Sequence, residues 1–127
     1  VYADAEALLV AYLAPVATTS VELPNAAQDQ MPFIQVTRIG GQDDYITDTA
    51  NVDLDCYGKS RRQASDTARA AQALMMQLRR TRVTVAGSPV LVDTVEQILG
   101  PTWVNFQDEH LQRYVMTYAV SSRITAQ

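Results

Sequence analysis

Gly58, Lys59 and Ser60 follow an alternating run and precede an Ala-rich one, which is the local order of a phosphate-cradling P-loop. That loop also needs a glycine five positions before its Gly-Lys pair, so that bare backbone amides can wrap the phosphates. Here the position holds Asp53. Residues 53–57 alternate as a strand, which directs their amides into a sheet ladder, and Asp53 and Asp55 would repel phosphate. A structural reading accounts for each residue instead: Gly58 turns the chain, Ser60 caps a helix, and Gln63 three positions on completes a capping box.

Asp53 and Asp55 suggest a second chemistry. Carboxylates at i and i+2 of a strand stand about 7 Å apart and could converge on a cation. Calcium wants six or more oxygens and magnesium several ordered waters, yet no third carboxylate occupies an obvious partner position. Burial of Val52, Leu54 and Cys56 on the other strand face already explains the alternation. His110 is the one histidine and Cys56 the one cysteine, too few for a four-ligand zinc site or a disulfide framework. Cys56 reads as a buried thiol and His110 as a surface or interface residue at the start of the last strand. No nucleophile-elbow pattern is present. The expectation is a protein that is not an enzyme, with no catalytic residue, metal or cofactor.

The charge is segregated. Seven of the ten basic residues and one of the fourteen acidic ones fall between Lys59 and Arg82, making that segment +6 and the remainder −10. Such a bipolar chain suits head-to-tail contact with its own copies or with charged neighbours. Arg61, Arg62, Arg69, Arg79 and Arg80 share one helix face, open to three readings: a solvated side, a protein contact or a phosphate track. A sequence pI near 4.8 and the lack of aromatic residues among the arginines weigh against the last.

These groups need a scaffold, and 127 residues suffice for one domain, 1–127, with a single core. No run approaches the ~20 apolar residues of a membrane span. Ala5, Leu8, Leu9, Tyr12 and Leu13 fall at helical spacing, with Pro15 marking the end of a helix. Asp4 and Glu6 replace the basic leader of a signal peptide, so the chain is expected to remain where it is made. Residues 18–32 read as a long loop, 33–41 as a strand ended by Gly40-Gly41, and 42–50 as a hairpin arm or extended loop. Residues 51–58 form the clearest strand, and a helix follows over 61–80. Its buried face should comprise Ala64, Thr67, Ala70, Ala71, Leu74, Met75 and Leu78. Strands over 82–87 and 89–98 flank a turn at Gly87; a loop holding Trp103 and Phe106 then precedes a closing strand over 113–123. The predicted class is α+β, with two layers: a mixed, mainly antiparallel sheet and two helices packed on one face.

Several motifs together carry a family resemblance. The strand Pro-Phe-Ile-Gln-Val-x-Arg-x-Gly-Gly leads to an acidic Asp-x-x-Thr-Asp-x-Ala stretch, then to Val-Asp-Leu-Asp-x-Tyr-Gly running into an Ala-rich helix. With the closing strand, this resembles the tail terminator (tail completion) proteins of long-tailed bacteriophages from Leu23 to Arg123. The N-terminal helix matches in type only. The resemblance implies a structural virion protein that forms a six-membered ring, caps the finished tail tube, stops its polymerisation and presents a docking surface to the head connector. The implied partners are further copies of the chain, the tube protein and the connector, with DNA passing through the channel unbound and no membrane involved. The implied site is the head-proximal end of the tail, assembled in the host cytoplasm. Alternatives are a head–tail connector, head-completion or minor tail subunit and, from another class, a basic-helix nucleic-acid binder. In a ring, the acidic arm with Asp43, Asp44, Tyr45, Ile46 and Asp48 is expected to meet Arg61, Arg62 and Arg69 of a neighbour. Asp53 and Asp55 become candidates for lining the channel.

Overall fold

The computed structural model describes residues 4–22, 31–43, 47–85, 87–105 and 111–124. Among these, the elements run α1 (Ala5–Leu13), β1 (Thr18–Ser20), β2 (Phe33–Asp43), β3 (Asp48–Gly58), α2 (Arg61–Gln77), β4 (Thr81–Val85), β5 (Ser88–Trp103) and β6 (Gln112–Ile124). The strands form one sheet in the order β1-β2-β3-β6-β5-β4. β1 runs parallel to β2 and every other pairing is antiparallel, so the class is α+β with a mixed, mainly antiparallel sheet.

β3 is central because its alternation serves two environments. Val52, Leu54 and Cys56 are fully buried, and each such side chain contributes on the order of 1.5–3 kcal/mol when large and apolar. Register aligns Val36, Leu54 and Met116 across three strands on this face. On the other face it aligns Thr37, Asp53 and Thr117, then Gln35, Asp55 and Val115. Both helices supply the apolar cluster: Leu8, Leu9 and Leu13 from α1, and Ala68, Ala71 and Met75 from α2, packed with Ile34, Val36 and Leu54. The Tyr12 hydroxyl donates to the Leu74 carbonyl at 2.6 Å and ties the two helices together.

The structure corrects several element boundaries. β1 lies inside the expected loop, and β2 runs past Gly40-Gly41 to Asp43, so residues 42–43 and 48–50 are arms of a β2–β3 hairpin. α2 stops at Gln77: Leu78 is its C-cap, the Thr81 hydroxyl donates to the Gln77 carbonyl at 3.0 Å, and Arg80 adopts φ 59°. Ala68 is buried in place of the expected Ala70, which is exposed. At about 100° per residue, Ala70 lies well off the stripe through Ala64, Ala68, Ala71 and Met75. Trp103 belongs to β5 and not to a loop. Phe106 and His110 lie outside the described residues.

Candidate assembly surfaces

Ser60 begins α2 as expected, its hydroxyl accepting the Gln63 amide at 3.1 Å. The Gln63 side chain reaches one residue further back than a standard capping box and accepts the Lys59 amide at 2.7 Å. An amide that would face phosphate in a P-loop is thereby taken. Gly58 is the last residue of β3, with the bend at Lys59 and Ser60, and it serves close packing: a Cβ there would meet the Ala64 nitrogen at 2.5 Å.

This cap launches a helix whose Arg61, Arg62 and Arg69 are exposed. The Arg61 guanidinium lies 4.8 Å from the centroid of the Trp103 ring, and its Nε donates to the Tyr114 hydroxyl at 3.3 Å. That bond lowers the phenol's pKa below its usual value. Trp103 Nε1 donates to Gln112 Oε1 at 2.9 Å, fixing the indole under the cation. Linear sequence hid this cluster because its aromatic members come from β5 and β6. Two further contacts tether α2 and the turn after it to β5: Gln72 Nε2 of the helix donates to Gln97 Oε1 at 2.8 Å, and Arg79 of the turn donates to the Val95 carbonyl at 3.5 Å.

At the hairpin arm, Asp43 ends β2 opposite Asp48 at the start of β3. Asp44, Tyr45 and Ile46, and the side chain of Asp43, lie outside the described residues. Asp48 is only 2% exposed, and the Arg38 fork donates to both its oxygens at 2.7 and 2.8 Å. Within the protomer this aspartate is therefore neutralised by Arg38. Arg38 Nε also donates to the Gly40 carbonyl at 3.1 Å, and its amide donates to Glu6 of α1 at 3.0 Å. Arg38 organises the arm, a role that the sequence reading did not assign.

Asp53 and Asp55 share the sheet face opposite the buried Val52, Leu54 and Cys56. Asp53 accepts the Thr117 hydroxyl at 2.6 Å. Asp55 stands 4.0 Å from the Arg113 guanidinium. Burial raises the Asp55 pKa above the ordinary carboxylate value; Arg113 opposes the shift, Asp53 adds to it, and a Tyr57 hydrogen bond opposes it. Next to them, burial and the Asp55 charge push the Cys56 thiol up to about 12.

The family model described as phage tail termination protein matches residues 1–123. The chain belongs to this phage tail termination family. It is thus a structural protein of a phage tail and part of the virion, assembled with other virion proteins. The match includes α1, which the motif resemblance covered only in type. A chain from the structure of the virion of a native gene transfer agent particle shares the fold, with a TM-score of 0.55 at 11% identity over 96% of this chain and 87% of that one. Curated proteins give no match. Within the tail termination family, the features to interpret are surfaces for assembly: the arginine face, the hairpin arm and the aspartate face.

Proposed function

We propose that copies of this chain form a six-membered ring that caps the completed tail tube, ends its polymerisation and offers the head connector a docking surface. The observation that carries the reading is the family match across residues 1–123. In this reading the chain is one domain whose two helices form a layer on one sheet face. The ring sits at the head-proximal end of a tail assembled in the host cytoplasm, and DNA passes through its channel without specific binding. The +6 segment around α2 and the −10 remainder support head-to-tail contact. Asp43, Asp44, Tyr45 and Ile46 of one protomer's arm meet Arg61, Arg62 and Arg69 of the next, with Asp48 shaping the arm through Arg38. Asp53 and Asp55 line the channel.

Native mass measurement and electron microscopy of the purified protein test this, with a ring enclosing a central hole as the expected result. A monomer that binds DNA would instead support the nucleic-acid alternative, whose favourable features are the exposed Arg61, Arg62 and Arg69 and the Arg61–Trp103 contact. Asp43→Lys with Asp44→Lys should weaken the ring, and Arg61→Glu with Arg69→Glu should partly restore it. Normal assembly by each pair alone would exclude the arm-to-arginine contact.

A further inference from the structure

Arg61 differs from the other arginines of α2 in being held by residues of two strands. The Trp103 ring of β5 lies 4.8 Å from its guanidinium, and the Tyr114 hydroxyl of β6 accepts from its Nε at 3.3 Å. Gln112 accepts from Trp103 Nε1 and so fixes the indole itself. An aromatic contact and a bond at Nε restrict how a guanidinium can turn and leave its two terminal nitrogens for another partner. Among the described residues these nitrogens have no hydrogen-bond acceptor, and Arg61 is exposed. A fork oriented in this way accepts a planar acid through two parallel bonds. Much of the side-chain ordering that such a bond requires has already been met on folding.

The place of this fork along the sheet limits what can reach it. Register sets Trp103, Tyr114 and Cys56 in one row, and Asp48 with Ser122 in another. Cys56 and Asp48 lie eight positions apart on β3, roughly 26 Å at the rise of a strand. β2 ends at Asp43, opposite Asp48, so the β2–β3 arm stands at the far end of the sheet from the fork. The arm and the fork of one copy therefore do not meet. Contact between them joins two different surfaces of two copies, which is a head-to-tail arrangement.

Resting on the ring reading above, we propose that Trp103 and Tyr114 position Arg61 as the receptor for a carboxylate, Asp43 or Asp44, on the arm of the next copy. Asp48 is not the ligand, because Arg38 takes both of its oxygens inside the protomer. The match extends beyond charge. The two arm carboxylates adjoin Tyr45 and Ile46 in sequence, and the fork adjoins Trp103, which is 38% exposed. Aromatic anchors beside a shielded arginine are the composition of an interface hot spot. With one face toward Arg61 and its nitrogen bonded to Gln112, the indole fits this role better than that of a stacking platform for bases. Lysine at position 61 would keep the charge and lose both the stack and the fork.

Native mass spectrometry of the full chain over a range of concentrations tests the contact, with melting curves to establish folding. Arg61→Lys and Trp103→Ala should each raise the concentration for half-assembly at least about tenfold. Arg62→Lys, which also keeps its charge, and Trp103→Phe, which keeps an aromatic face, should shift it by less than about threefold. In a background of Asp43→Asn with Asp44→Asn, Arg61→Lys should cause no further loss. Normal assembly of folded Arg61→Lys would overturn the contact and leave the ring reading standing. Fully additive losses from the arm and Arg61 changes would do the same. Wild-type protein that stays monomeric at every concentration would overturn both. Duplex DNA that binds the wild type and is lost with Trp103→Ala would assign the fork to phosphate instead.

Discussion

The Ser60 hydroxyl determines how the Gly-Lys-Ser triplet is used, because it holds the first turn of α2 together. Ser60→Ala should cost about 0.5–2 kcal/mol in chemical denaturation. The Lys59 side chain is exposed, and Lys59→Ala should leave the transition unchanged. Calorimetric titration with ATP and magnesium should show no heat of binding; binding abolished by Lys59→Ala would reverse this assignment. Asp55 gives a prediction of pH dependence. Its pKa is raised in the folded protein, chiefly by burial. The native state therefore takes up a proton before the unfolded chain does. The residue's unfavourable contribution is fully present above the raised value and fades as pH falls through it, vanishing below the ordinary carboxylate value. Asp55→Asn should raise the melting temperature slightly at neutral pH, with the gain disappearing in acid. A variant less stable than wild type at neutral pH would contradict this.

At the scale of elements, legibility followed local periodicity. β3 was readable because each inward residue is apolar and its neighbours are polar, and α2 because Ser60 and the alanine stripe stand in one contiguous segment. β1 was not readable: three residues carry no period, and only its parallel pairing with the distant Phe33–Gln35 makes it a strand. β5 was cut short for a related reason. Its register shifts after Gln97 and Leu99 break the alternation, which hid its continuation to Trp103. The Arg61–Trp103–Tyr114 cluster was invisible because the sheet, not sequence proximity, brings it together. The Gly40-Gly41 pair was read as the end of a strand, yet the hairpin continues through it. Gly41 has φ 125°, and a methyl there would collide with the Thr49 carbonyl across the hairpin, whereas a Cβ on Gly40 meets nothing within 4 Å. Gly41→Ala should therefore destabilise by roughly 1–3 kcal/mol, and Gly40→Ala much less. Paired denaturation curves check this, and equal effects would show that the hairpin tolerates a side chain at both positions.

For the whole molecule, charge separation is legible in the order of residues along the chain, but the position of each charge on the sheet is not. In the proposed ring the face bearing Asp53 and Asp55 looks into the channel, where repeated carboxylates repel DNA phosphates and let the genome slide. The two residues differ as probes of this arrangement. Asp55 is near Arg113, so a cation at that position would meet another cation and disturb the fold. Asp53 has a hydroxyl neighbour in Thr117, making Asp53→Lys the cleaner reversal. It changes the channel charge by two units per copy. The variant should assemble into rings with unchanged melting behaviour, retain duplex DNA at low ionic strength and release it as salt rises. Wild-type rings should let the same DNA pass at every salt concentration. Rings of Asp53→Lys that retain no DNA, or an assembled structure with Asp53 on the outer circumference, would place the acidic face away from the channel.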